Sequence, residues 1–166
     1  MRPMCAKINA PLALKFILTM YCQMCLNLIR QRHKNKPMNQ KTKILIVEDD
    51  TPLAMMMTHV LTCAGCDVQV ADTGKKGLEL AQEIHFDLIT LDIDLPDANG
   101  VSICLKLIQR HVSRKTPVVF VSGRQSEQDM QRGLEAGAVD YIVKPFGMEF
   151  APRLLSHVGQ EREISH

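Results

Sequence analysis

Four short apolar runs in the 166-residue chain each end in a reactive polar side chain. Glu48, Asp49 and Asp50 follow Ile44-Leu45-Ile46-Val47, and Asp92 follows Leu88-Ile89-Thr90-Leu91. Ser122 follows Val118-Val119-Phe120-Val121, and Lys144 follows Tyr141-Ile142-Val143. Adjacent carboxylates about 5 Å apart repel by roughly 3 kcal/mol at an effective dielectric near 20, so the first cluster needs something that compensates it. A hard cation such as Mg2+, which prefers carboxylate oxygens and water, would do so. A solvated loop in which Asp50 or Thr51 caps a helix opened by Pro52 would account for the same residues. On the first cluster alone the two readings stand level.

The elements that must position these groups alternate. Aliphatic residues on successive positions, as at 44–47, suit a strand covered on both faces by helices. Strands are predicted over 43–48, 67–71, 87–92, 117–121 and 139–143, and helices over 52–64, 74–84, 100–111, 126–136 and 147–158. Asp72 or Thr73 caps the second helix, Ser126 with Asp129 resembles a capping box, and Gly137 stops the fourth helix. Five strands alternating with five helices predict one doubly wound α/β domain. Ligands of such sheets bind beyond the carboxyl ends of the strands. Three acids, a hydroxyl and an ammonium would therefore meet at one rim.

Charge divides the chain. Residues 1–37 carry seven Lys or Arg and no acid, whereas the remainder carries thirteen bases and eighteen acids. An acidic body argues against direct nucleic-acid binding by this domain, because such binding rests on neutralising phosphates. The uncharged run 16–29 spans 14 residues, too short for a membrane helix, and contains Gln23 and Asn27. It continues into basic residues and not a cleavage site, so no firm membrane association is expected. Residues 1–37 are read as a leader outside the folded unit, with Met38 as the natural start; 42–158 form the domain and 159–166 a polar tail. The Cys22/Cys25 and Cys63/Cys66 pairs have metal or redox spacing, but their apolar surroundings favour packing.

The segments "ILIVEDD", "DLITLDIDLPDANG", "PVVFVSG" and "GAVDYIVKPF" resemble, in order and interval, the signature segments of the response regulator receiver domain. The resemblance covers about residues 42–158 and implies a flavodoxin-like five-stranded parallel sheet of order 2-1-3-4-5. It further implies that Asp92 is the phosphoacceptor and that Glu48, Asp49, Asp92 and the backbone carbonyl of Asp94 hold Mg2+ or Mn2+. Ser122 corresponds to the switch hydroxyl, Lys144 to the phosphate-binding base, Tyr141 to the switch aromatic, and Pro145 to a proline after a cis peptide. Asp50 then falls to the following helix as its cap. The implied donor is a phosphohistidine on a sensor histidine kinase or histidine phosphotransfer protein in the cytoplasm. The chain would be a signalling phosphoacceptor, with autophosphotransfer and autodephosphorylation, more than a dedicated enzyme.

Two residues depart from the common pattern. Asn99 stands where Asp is usual before Gly100, and Pro152 lies inside the last predicted helix, where it should kink or shorten it. Three rival readings share part of the pattern. A haloacid-dehalogenase-type phosphatase shares the aspartyl phosphate, but Leu95 replaces its fourth motif residue and only 74 residues follow Asp92. An FMN binder would offer phosphate donors in its first loop where this chain has acids. A phosphorylation-independent interaction module would leave the acids without a task. The residues name no downstream effector.

Overall fold

The computed structural model describes residues 41–109 and 116–159. The leader 1–37 and the tail beyond Gly159 lie outside the described residues, as does the end of the third predicted helix. The strands are β1 (Lys43–Val47), β2 (Asp67–Ala71), β3 (Leu88–Leu91), β4 (Val118–Ser122) and β5 (Asp140–Val143). The helices are α1 (Thr51–Cys63), α2 (Gly74–Glu83), α3 (Gly100–Gln109), α4 (Glu127–Glu135) and α5 (Phe150–Leu155). All strand pairs are parallel, in the order β2-β1-β3-β4-β5. Fold class and strand order match the expectation; β2 has its predicted limits, and the other element ends that fall among the described residues lie within three residues of theirs.

Alternation within each strand explains why the runs are apolar throughout. Leu45, Val47, Ile89, Leu91, Val118 and Phe120 face a core that includes Ala81 of α2, Ile103 and Leu107 of α3, and Ala136. Ile44, Ile46, Leu88, Val119, Val121 and Ile142 face the opposite core, with Met57 and Leu61 of α1 and Phe150, Leu154 and Leu155 of α5. Both faces are covered, so between their ends both parities of the central strands are apolar apart from Thr90, whose buried hydroxyl donates to the Leu45 carbonyl. Cys66 and Cys104 are buried in these cores, as packing residues.

Helix ends follow local chemistry. Asp50 caps α1 by accepting from the Leu53 N–H at 2.9 Å. Thr73, and not Asp72, caps α2, accepting from the Lys76 N–H; Asp72 instead pairs with the Lys76 ammonium at 3.2 Å. Ser126 caps α4 by accepting from the Asp129 N–H, and its hydroxyl donates to the Asp129 carboxylate at 2.6 Å. Gly137 ends α4 at φ 94°, a conformation in which a side chain would crowd the backbone.

The last helix differs from its predicted start at 147. It begins at Phe150, which moves Pro152 into the first turn. There the N–H that proline lacks would have had no intrahelical acceptor, so the residue shortens the helix without breaking a bond inside it. Among the described residues no helix is long and apolar enough to cross a membrane.

Candidate functional site

Strand register assembles the site. Val47 is level with Leu91, and the Asp92 N–H donates to the Val47 carbonyl at 3.0 Å, which sets Glu48 and Asp92 side by side. Ser122 is level with Val143, and the Lys144 N–H donates to the Ser122 carbonyl at 2.8 Å. β1 and β3 flank the point where the strand order reverses, so their carboxyl ends open into the crevice that such folds use for ligands.

Lys144 occupies the centre. Its Nζ lies 2.6 Å from Glu48 Oε2 and 2.7 Å from Asp92 Oδ2. Glu48 and Asp92 are buried, whereas Asp49 is exposed. Carboxylate oxygens of Glu48, Asp49 and Asp92 all lie within 4.8 Å of one another. Burial pushes the Glu48 carboxyl above its usual value, against the hydrogen bond and charge of Lys144, which favour ionisation. Burial works against the Lys144 ammonium too, but its bonds to Asp92 and Glu48 outweigh that and raise its pKa. Lys144 stands as an ammonium shared between the two carboxylates, because both contacts are short and the lysine is their common donor.

Asp92 is held on both oxygens. Oδ1 accepts from the Ile93 N–H at 2.6 Å and the Asp94 N–H at 3.3 Å, while Oδ2 accepts from Lys144. Gly100 presses the start of α3 against this turn: its N–H donates to the Ile93 carbonyl at 2.8 Å, and a methyl group there would overlap the Asp92 backbone carbonyl. Asn99 caps α3, accepting from the Val101 N–H at 2.8 Å, so the change from Asp preserves the cap. The Lys144–Pro145 peptide is cis.

Ser122 is fully buried at the end of β4, and its Oγ accepts from the Arg124 N–H at 3.3 Å. Tyr141 is buried as well, with its ring 5.9 Å from that of Phe120 and its hydroxyl donating to the Arg124 carbonyl at 2.9 Å. Burial raises the Tyr141 hydroxyl pKa, which keeps it a donor. The side chain of Asp94 points away from the acidic cluster and pairs with Arg124.

Sequence reasoning thus brought Glu48, Asp49, Asp92 and Lys144 to one place and put Ser122 at the same rim. It missed two residues. Asp97 accepts from the N–H groups of Gly74 and Lys75, both at 2.8 Å, and so ties the loop after Asp92 to the start of α2. Those donors leave its carboxyl below the usual value. Arg124 joins that same loop to the one after β4. The pairs are 23 and 30 positions apart, and no local pattern signals either.

The arrangement can do two things chemically. Three carboxylates against one ammonium leave a net negative pocket of hard oxygen donors, which fits a small divalent cation. A clamped carboxylate beside a lysine can also act as a nucleophile toward a phosphoryl group whose oxygens the lysine would neutralise.

The comparisons agree with that chemistry. The chain matches the response regulator receiver domain over residues 44–155. The response regulator ArlR of Staphylococcus saprophyticus is 43% identical over 108 residues, 65% of this chain and 48% of that protein. The Staphylococcus aureus ArlR is 41% identical over the same length, so the chain spans about half the length of these relatives, 48%. Among solved structures, the non-phosphorylated HemR receiver domain of Leptospira biflexa superposes with a TM-score of 0.67 at 32% identity, covering 75% of this chain and 100% of that one. The chemotaxis protein CheY4 of Vibrio cholerae gives 0.67 at 29%, covering 72% and 99%.

Proposed function

The chain belongs to the response regulator receiver domain family, and from that premise we propose that it accepts a phosphoryl group on Asp92 in a Mg2+-dependent reaction. The observation that carries this reading is the Lys144 ammonium, held between Glu48 and Asp92 with Asp49 beside them. An Asp92 oxygen would attack the phosphorus in line as the phosphorus–nitrogen bond of a donor phosphohistidine breaks. The electron pair leaves with the imidazole, and an acyl phosphate forms. Lys144 would move from the Asp92 carboxylate to the arriving phosphoryl oxygens, since the acyl phosphate no longer carries charge at the carbonyl.

Glu48, Asp49, Asp92 and the backbone carbonyl of Asp94 would hold Mg2+, or Mn2+ in its place. Bound there, the metal neutralises charge on the transferring group. Ser122 would donate to a phosphoryl oxygen, and Tyr141 would report the change at the face of α4, β5 and α5. Two-component relatives pair with sensor histidine kinases, so a kinase or a histidine phosphotransfer protein in the cytoplasm is the proposed donor. The domain limits 42–158 are proposed with it.

Phosphate uptake from acetyl phosphate, with Mg2+ or with EDTA, tests the assignment. Labelling should need the metal, stop at one group per chain and vanish in Asp92→Asn. Undiminished labelling of that variant refutes Asp92 as the acceptor.

A further inference from the structure

We propose that Arg124 is a positioning residue whose ion pair with Asp94 holds the loop between β4 and α4 closed, with Tyr141 turned inward, before any phosphoryl group arrives. The inference deepens the reading above and rests on it for the meaning of the switch, but its geometry stands without phosphate.

Four contacts meet at Arg124. Its Nε lies 3.1 and 3.0 Å from the two Asp94 carboxylate oxygens, and its second terminal nitrogen 2.5 Å from Oδ1, a forked arginine–carboxylate pair. Asp129, at the start of α4, adds a longer contact at 3.7 Å. The Arg124 N–H donates to Ser122 Oγ, and the Arg124 carbonyl accepts from the Tyr141 hydroxyl. Asp94, for its part, reaches the Asp92 carboxylate through its own N–H.

One residue therefore joins the loops after β3 and β4, the hydroxyl of Ser122 and the inward rotamer of Tyr141. A loop carrying the acceptor for Tyr141 is fixed from its outer side by a guanidinium, and that fixing needs no phosphate. A phosphoryl group on Asp92 that accepted from the Ser122 hydroxyl would draw this loop in. In this chain an ion pair achieves the same placement, so the resting domain is biased toward the inward state. The pair is half exposed, 43% for Arg124 and 54% for Asp94, which makes the bias sensitive to salt.

The full chain labelled with 3-fluorotyrosine carries two fluorine probes, Tyr21 and Tyr141, and Tyr21→Phe assigns them. Without phosphate or beryllofluoride, the Tyr141 resonance should show a small H2O/D2O shift. Arg124→Ala keeps the backbone carbonyl that Tyr141 uses and removes only the tether; Asp94→Asn keeps the shape and removes the charge. Either should move the in/out equilibrium outward by roughly two- to fivefold, the range for a well-formed exposed pair. High salt should shift the wild type the same way, and the reversed pair Asp94→Arg with Arg124→Asp should restore the inward signal.

A Tyr141 resonance unchanged in both single variants overturns the latch. So does an exposed Tyr141 in the wild type, or a shift that the reversed pair fails to restore. The readout involves no phosphorylation. Normal phosphate uptake with an unresponsive Tyr141 sinks the latch alone, whereas a responsive Tyr141 in a chain that takes no phosphate sinks the proposed reaction alone.

Discussion

Replacing Lys144 by methionine keeps an unbranched stem of similar length and removes the one cation that, among the described residues, contacts both Glu48 and Asp92. The lysine side chain is 18% exposed, and its partners are 2% and 8% exposed, so solvent does little to screen the two acids. Removing one partner from a buried ion pair costs about 3–5 kcal/mol. Access of water to the lysine end of the site lowers that to about 2–4 kcal/mol, against a total stability of about 5–15 kcal/mol for a domain of this class. The variant should fold and unfold at lower urea.

The deficit should depend on pH with a definite sign. Folded Glu48 holds its proton to higher pH than the unfolded chain does, because burial raises its pKa while Lys144 works against that rise. Its titration favours folding most below the ordinary carboxyl value, and the contribution is lost as pH rises through the folded value. In Lys144→Met the opposing influence disappears, so the folded value rises further and the loss above it grows. Urea unfolding followed by circular dichroism in EDTA should show the largest deficit at about pH 8 and a clearly smaller one at about pH 5. Millimolar Mg2+ should recover part of the deficit at the higher pH, since a divalent cation replaces the missing positive charge. A variant as stable as the wild type at the higher pH, or one with a deficit independent of pH, would refute the account of the charge cluster.

Asp49→Ala should raise the Mg2+ concentration needed for half-maximal phosphate uptake by about tenfold while leaving stability within about 0.5 kcal/mol, because the residue is an exposed member of the oxygen cluster. Gly100→Ala should push the start of α3 off the Asp92 carbonyl and slow phosphate uptake from acetyl phosphate by about tenfold or more, an effect of misplacement that kinetics on the folded variant would reveal. Asp97→Ala should cost about 1 kcal/mol at neutral pH by uncovering two N–H groups of α2. Its lowered pKa means that this contribution is present above the ordinary carboxyl value and fades as pH falls through the folded value, so urea midpoints of the two proteins should converge in acid. Phe150→Ala should cost about 3–5 kcal/mol in urea unfolding, since the ring is fully buried and begins the helix that covers β5.

Much of the site was legible because its residues sit at strand ends. A parallel sheet puts every carboxyl end on one rim, so Glu48, Asp92, Ser122 and Lys144 could be gathered from hydropathy alone, without knowing which strands were neighbours. The caps at Asp50 and Ser126 were equally local, since each is a bond between residues three apart. Helix starts were less legible where competing signals lay within a turn. Either Asp72 or Thr73 would cap α2, and the choice fell to the residue whose backbone is extended there. Pro152 read as a break inside a helix from 147, and became harmless once the helix began at Phe150.

The sequence by itself determined a five-stranded α/β domain with an acidic rim, because those features depend on spacing of a few residues and on which side chains avoid water. Tertiary structure alone decided how the rim is wired. The Lys144 ammonium chooses both Glu48 and Asp92, the Asp94 carboxylate turns outward to Arg124, and Tyr141 lies inward on the Arg124 carbonyl. Each of these is a contact across 17 to 96 positions. Such contacts cost little in local preference and depend on the distance between loops, which only strand register and helix packing fix.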